Sequence, residues 1–171
     1  MGARILGIDP GSRLTGFGII EVESLRVVYV ASGCIRTHET GIDGRLREIF
    51  EGVSEVLKEY RPEVMAIETV FVRRNVASAL KLGQARGAAI CAVATHGVPC
   101  HEYSPTQIKK AVVGRGNAAK AQVQHMIRSL LSLPSMPQAD ACDALACALC
   151  HTHHWQSHEA LSGKTPVGGR P

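Results

Sequence analysis

The chain has 171 residues, 45% of them hydrophobic and 20% charged. That is enough apolar material for the core of one compact domain and too much for a disordered or fibrous chain. No apolar run approaches the roughly 20 residues of a membrane span, and MGARILGIDP meets an aspartate at position 9, which leaves no signal-peptide core. The net charge of +4 is unevenly spread: residues 71–130 hold nine Lys/Arg against Glu102 as their one acid, while residues 1–70 hold eight against eleven.

In chain order, RILGID (4–9) reads as a short buried strand ending in Asp9, with PGS forcing a turn. LTGFGIIEV (14–22) and LRVVYVASGCIR (25–36) read as two further strands joined in a hairpin near Ser24. Gly7, Gly16 and Gly18 mark places where another backbone or a ligand comes close. Leu46, Ile49, Phe50, Val53, Val56, Leu57 and Tyr60 repeat every 3.6 residues, which predicts an amphipathic helix over 42–60, stopped by Pro62. VMAIE (64–68) is a buried strand whose last residue is Glu68, and the intervening helix suits a right-handed crossover to a parallel neighbour of the first strand.

Asn75 is placed to cap a helix over 76–95. Its Ala77, Ala79, Gly83, Gly87, Ala88 and Ala89 make that helix slim, fit for close packing on the sheet or on a second copy of the chain. VPCHEY (98–103) is a strand, and Ser104-Pro105 opens a helix of about two turns. GRGN (114–117) is a loop, and helices are predicted over 118–131 and 138–152. From 156 the composition turns to Ser, Gly, Pro and His, so the domain is drawn as 1–155 with a disordered tail over 156–171. The order βββαβαβ followed by helices gives an α/β fold: a mixed β-sheet of three antiparallel strands plus parallel strands, flanked by helices. In such sheets ligands gather at the carboxyl ends of the strands.

The chain has only four aspartates, and Asp9, Asp140 and Asp143 stand among apolar or alanine-rich residues. A carboxylate there costs several kcal/mol unless something compensates it. Asp9 and Glu68 end neighbouring strands, and Asp140 and Asp143, three apart on one helix, share a face. If that helix crosses the strand ends, four carboxylates converge. Their mutual repulsion raises their pKa values unless cations neutralise them. Oxygen ligands of this kind select Mg2+, with Mn2+ able to substitute, and two such ions about 3.5–4 Å apart suit in-line displacement at a phosphodiester. Taken singly, Asp9 suits a turn, Asp140 a cap and Asp143 a first-turn acid. The basic stretch suits a surface that meets phosphates, or else a merely solvated face. GIDPGSRLTGFG is also similar to the phosphate hairpin of actin-type and sugar kinases, but that architecture needs two such domains around its nucleotide.

GIDPGSRLTGFG, AIETVF, NVASALKLGQARG, VVGRGNAAKAQVQHM and PQADACDALA together closely resemble the RuvC family of Holliday junction resolvases, over residues 3–152. The resemblance implies a ribonuclease H-like fold and a homodimer. It implies Mg2+-dependent symmetric nicking of two opposed strands of a four-way DNA junction, leaving 5′-phosphate and 3′-hydroxyl ends. It also implies work beside the RuvA and RuvB branch-migration proteins in recombination and repair. The family's acids fall on Asp9, Glu68, Asp140 and Asp143, the quartet reached from the residues themselves. Its basic active-site residues fall on Lys109 and Lys120, and its base-stacking phenylalanine on Phe71.

Physical chemistry is compatible with each role. Lys109 and Lys120 can hold a scissile phosphate, and Phe71 between Glu68 and the pair Arg73 and Arg74 suits stacking on an unpaired base. Arg73, Arg74, Lys81 and Arg115 are candidate backbone contacts. A two-fold dimer would present equal sites to a near two-fold junction, with helix 76–95 as its candidate interface. No Ser or Thr stands at position 6 to make Gly2 a lipidation site. The six cysteines are expected to stay reduced in a cytoplasmic protein. Cys147 and Cys150, with His151, His153 and His154 beside them, have a spacing that admits zinc, or else pack as small hydrophobes.

Overall fold

β1 (Ala3–Asp9), β2 (Leu14–Glu23) and β3 (Arg26–Arg36) form an antiparallel meander, and β4 (Val64–Glu68) and β5 (Cys100–Tyr103) join it in parallel. The sheet order is β3-β2-β1-β4-β5. The structure is a computed structural model that describes residues 2–24, 26–69 and 76–162, with side chains through Trp155. The predicted mixed sheet is present, and the β1-to-β4 crossover runs through α1 (Ile42–Tyr60), as the sequence indicates.

Strand pleating sorts the core into two faces. Leu6, Ile8, Ile19, Met65 and Ile67 point to one side, where they pack on α1 and α2 (Val76–Thr95). Ile5, Ile20, Val22 and Ala66 point to the other, against α3 (Pro105–Val113), α4 (Lys120–Leu130) and α5 (Ala139–Ser162). The result is a three-layer sandwich. Glycine makes the second interface tight: a Cβ on Gly7 would strike the backbone of Ala144 and Ala148, one on Gly16 that of Asp140, and one on Gly18 Leu145. The close approach predicted at these glycines is therefore made by α5.

Several boundaries differ from the sequence expectation. β5 begins at Cys100 rather than 98, because Gly97 (φ 71°) turns the chain and the Val98 N–H closes the end of α2 on the Val93 carbonyl. α4 begins at Lys120 rather than 118: Ala119 is extended (φ −70°, ψ 151°) and donates its N–H to the Gln122 side chain. It ends at Leu130, with Leu131 as its cap. α5 runs to Ser162 rather than 152, so its backbone continues through the first residues assigned to the tail. No Gly or Pro interrupts the chain before Gly163. Residues 163–171 and the expected Asn75 cap lie outside the described residues. At α3 the predicted cap is present in full: Ser104 accepts from the Gln107 N–H, and the Gln107 side chain accepts from the Ser104 N–H.

Candidate active site

The pleat that sends Leu6 and Ile8 to one face sends Asp9 to the other. On β4, Met65 and Ile67 likewise leave Glu68 on the α5 side. β1 and β4 are parallel neighbours, so both carboxylates leave the same edge of the sheet. Asp140 and Asp143 occupy the first two turns of α5, which the glycine bed holds against β1 and β2. Asp9 pairs across the strands with Gly16, and the Asp140 backbone lies over that glycine.

Asp9 and Glu68 feel the charges of their neighbours. Asp9 is pushed up to about 7, first by burial and then by the charges of Asp143, Asp140 and Glu68, with Lys120 opposing. Burial and Asp143 raise Glu68, while Lys109 and Lys120 pull it down. Lys120 Nζ lies 2.6 Å from Asp143 Oδ2, and this hydrogen bond raises the lysine in turn. Two hollows adjoin the acids. A cleft of about 740 Å3 is lined by Asp9, Glu68, Lys109, Ser104 and Thr106, among others. A smaller hollow of about 240 Å3 is lined by Glu68, Lys109, Lys120 and Asp143, among others.

This donor set fits hard divalent cations. The acids are crowded enough to hold a proton near neutrality, and one ammonium already sits against them as a counter-ion. Among the described residues, no three His, Cys, Asp or Glu side chains close into a ready-made cage. Asp9 and Glu68 instead border the larger cleft, and Glu68 and Asp143 the smaller hollow, which leaves room for water and a phosphate oxygen in the coordination shell.

Of the other predicted residues, Lys81 on α2 and Arg115 before α4 are exposed. Each adjoins a residue of the large cleft, Leu82 and Gly116 respectively. Phe71, Arg73 and Arg74 lie outside the described residues. The sequence reading missed Thr69, Thr106 and Leu82 as cleft residues, and it read Ser104 only as a helix cap. Nothing in a lone Thr or Leu marks it as lining a cleft before the sheet edge is assembled.

The cysteine cluster resolves as packing. Cys142, Cys147 and Cys150 are buried on α5. Burial pushes the Cys142 thiol up to about 11 and Cys150 to about 12, and raises Cys147 well above its ordinary value. All three belong to the apolar cluster between the sheet and α5, and among the described residues no group of three His, Cys, Asp or Glu is placed to hold a metal. His151 is buried as well and shares a 2.7 Å hydrogen bond at Nδ1 with the Tyr103 hydroxyl.

With the geometry in place, comparison with known proteins gives a consistent picture. The family model for "Crossover junction endodeoxyribonuclease RuvC" matches residues 5–151. Proteins of that name from Shewanella baltica and Shewanella amazonensis are 57% identical over 162 residues and 56% over 165. The first match covers 95% of this chain and 94% of the relative, the second 96% and 95%. The solved Thermus thermophilus RuvC structure is 36% identical with a TM-score of 0.83, covering 91% of this chain and 96% of that one. The same protein in complex with a Holliday junction substrate is 35% identical with a TM-score of 0.85 at the same coverage. The yeast mitochondrial Holliday junction resolvase, at 12% identity and a TM-score of 0.64 over 94% of this chain and 85% of that one, shares the fold. A match this long, at this identity, over nearly the whole of both chains places the present chain within the RuvC family of crossover junction endodeoxyribonucleases.

Proposed function

We propose that this chain resolves four-way DNA junctions by nicking two opposed strands, leaving 5′-phosphate and 3′-hydroxyl ends. The observation that carries the reading is geometric, in a chain of this family: Asp9 and Glu68 end neighbouring parallel strands, the Asp140 backbone lies over Gly16, the cross-strand partner of Asp9, and Asp143 borders one hollow with Glu68. In this reading the four carboxylates hold two Mg2+ per subunit, with Mn2+ able to substitute. When bound, such ions supply an activated water and stabilise the leaving oxygen.

The chain's own residues do the positioning. Asp9 and Glu68 are fixed by the last pairs of their strands, and Asp140 and Asp143 by the seating of α5 on Gly7, Gly16 and Gly18. Lys109 borders both hollows and can hold the scissile phosphate between them. Lys120 neutralises Asp143 until a divalent ion takes up that charge. Phe71, Arg73, Arg74, Lys81 and Arg115 are assigned to the DNA surface beyond the cleft.

The second copy that a near two-fold junction requires would meet this one through α2. Val76 and Leu80 are 68% and 63% exposed, and among the described residues nothing lies within 4 Å of where a Cβ would project at Gly83 or Gly87. Positions 76, 80, 83 and 87 share one helix face, which lets two such helices come close. RuvA and RuvB are the branch-migration partners in this reading, and the cytoplasm its setting. Among the described residues no helix is long and apolar enough to cross a membrane.

The test is single-turnover cleavage of a synthetic four-way junction, a linear duplex and an RNA–DNA hybrid, by the parent and by Asp9→Asn. The parent should cut the junction preferentially in Mg2+, and the variant should be slower by at least about a hundredfold. Equal cutting by both proteins would remove the acid quartet from the chemistry. Preference for the hybrid would move the substrate to RNA.

A further inference from the structure

Glu102 is the only acid in the basic stretch of residues 71–130, and the cleft residues described above leave it without a role. In the folded chain its carboxylate meets the Arg86 guanidinium, Nη2 to Oε2 at 2.6 Å, as an ion pair lying off the hydrogen-bonding axis. The neighbouring nitrogen on the same guanidinium edge, Nε, donates to the main-chain carbonyl of Glu68 at 3.2 Å. The Arg86 side chain is only 18% exposed. One edge of a planar cation therefore joins α2, the outer strand β5 and the last residue of β4.

From these contacts we infer that Arg86 is a positioning residue for Glu68, oriented by Glu102; the inference rests on the nuclease reading given above. The β1–β4 register ends at Ile8–Ile67, one residue before Glu68. On the other side Glu68 pairs with Tyr103, and the Thr69 N–H reaches the Tyr103 carbonyl at 2.9 Å. The Glu68 peptide thus stands where β4 has lost its β1 partner and the chain is leaving the sheet. Fixing its carbonyl fixes the plane of that peptide, and with it the backbone position from which the Glu68 side chain departs toward the other acids. A guanidinium suits the task because its fork is rigid; a lysine ammonium carries the charge without the fork.

The experiment compares the parent with Arg86→Gln, Arg86→Lys, Glu102→Gln and the double variant Arg86→Gln/Glu102→Gln. Mn2+ affinity is measured on the DNA-free proteins by electron paramagnetic resonance. Junction affinity is measured in EDTA, and single-turnover cutting in Mg2+. Both Arg86 variants should weaken Mn2+ binding by about tenfold or more and slow cutting similarly, with junction affinity unchanged within about twofold. Glu102→Gln should fall between these and the parent, and the double variant should be no worse than Arg86→Gln alone.

Unchanged Mn2+ affinity in both Arg86 variants overturns the proposal. So does a junction affinity that falls with cutting and returns in Arg86→Lys, which would make Arg86 a phosphate contact. If Arg86→Gln does not fold, as measured by circular dichroism, the Mn2+ affinity of Arg86→Lys decides between the outcomes. A parent that binds Mn2+ but cuts no junction sinks the nuclease reading alone, and the Mn2+ comparison still decides the role of Arg86. A parent that binds no Mn2+ sinks both.

Discussion

Gly16 lies directly beneath the main chain of Asp140, so close that a side chain of even one carbon would strike the Asp140 carbonyl. Gly16 is also the cross-strand partner of Asp9. The absence of one Cβ therefore sets the separation of two of the four acids. Gly16→Ala should lift the start of α5, destabilise the protein by about 1–3 kcal/mol and slow junction cutting by roughly a hundredfold. Urea unfolding and single-turnover kinetics check the two numbers. A variant as stable and as fast as its parent would mean that α5 can shift without disturbing the acids.

Asp9 gives the metal-free protein a distinctive pH response. Its folded value, about 7, lies above its ordinary 3.8. The folded state therefore holds this proton more tightly than the unfolded chain does. Its contribution is fully present below pH 4 and is lost as the pH rises through 7, by roughly 3–4 kcal/mol. In EDTA the parent should lose stability over that window, Asp9→Asn should not show the loss, and Mg2+ at pH 8 should restore the parent. Thermal melts across pH in both media test all three.

His151 responds in the opposite sense. Burial, with His101 and His154 nearby, pushes it down to about 4 from its ordinary 6.5. The folded state keeps this imidazole neutral while the unfolded chain takes up a proton. Stability from this group is complete above about pH 6.5 and is lost as the pH falls through 4, by up to about 3 kcal/mol. His151→Gln should flatten the acid limb of the stability curve, at the cost of a weaker core near Tyr103. A steep acid limb that survives the substitution would assign it to other groups.

The short Lys120–Asp143 pair predicts a metal-dependent substitution effect. Lys120→Gln removes the counter-ion, so the four acids should bind the first divalent ion no worse than in the parent while cutting falls by about tenfold or more. Mn2+ titration beside cleavage rates separates the two. A joint loss of metal binding and cutting would make Lys120 a scaffold for the acids.

The exposed face of α2 gives a further test. Leu80→Glu sets a charge where two copies would meet and should yield a monomer in sedimentation velocity, with the fold intact by circular dichroism. A dimer that persists would move the interface elsewhere.

Much of this molecule is readable before folding. Asp140 and Asp143 stand three apart, so local pattern alone puts them together, while Asp9 and Glu68, each ending an apolar strand, are brought together by the crossover that the intervening helix predicts. Gly7, Gly16 and Gly18 announce a close approach, but a glycine does not say what approaches it; only the tertiary fold names α5. The Arg86–Glu102 pair is illegible for the same reason. Its members lie on a helix and a strand whose contact depends on the sheet order β4-β5. The length of α5 is underestimated from sequence because Ser, Gln and His after Trp155 resemble a tail by composition, while none of them breaks a helix. The CxxC at Cys147 suggests metal by spacing, and burial turns it into core.

The two halves of the acid quartet enter at opposite ends of the polypeptide: Asp9 on the first strand and Asp140 and Asp143 on the last helix. In the proposed reading, the site that would hold the metal ions is therefore assembled only when the last helix has been made and has settled on Gly7, Gly16 and Gly18.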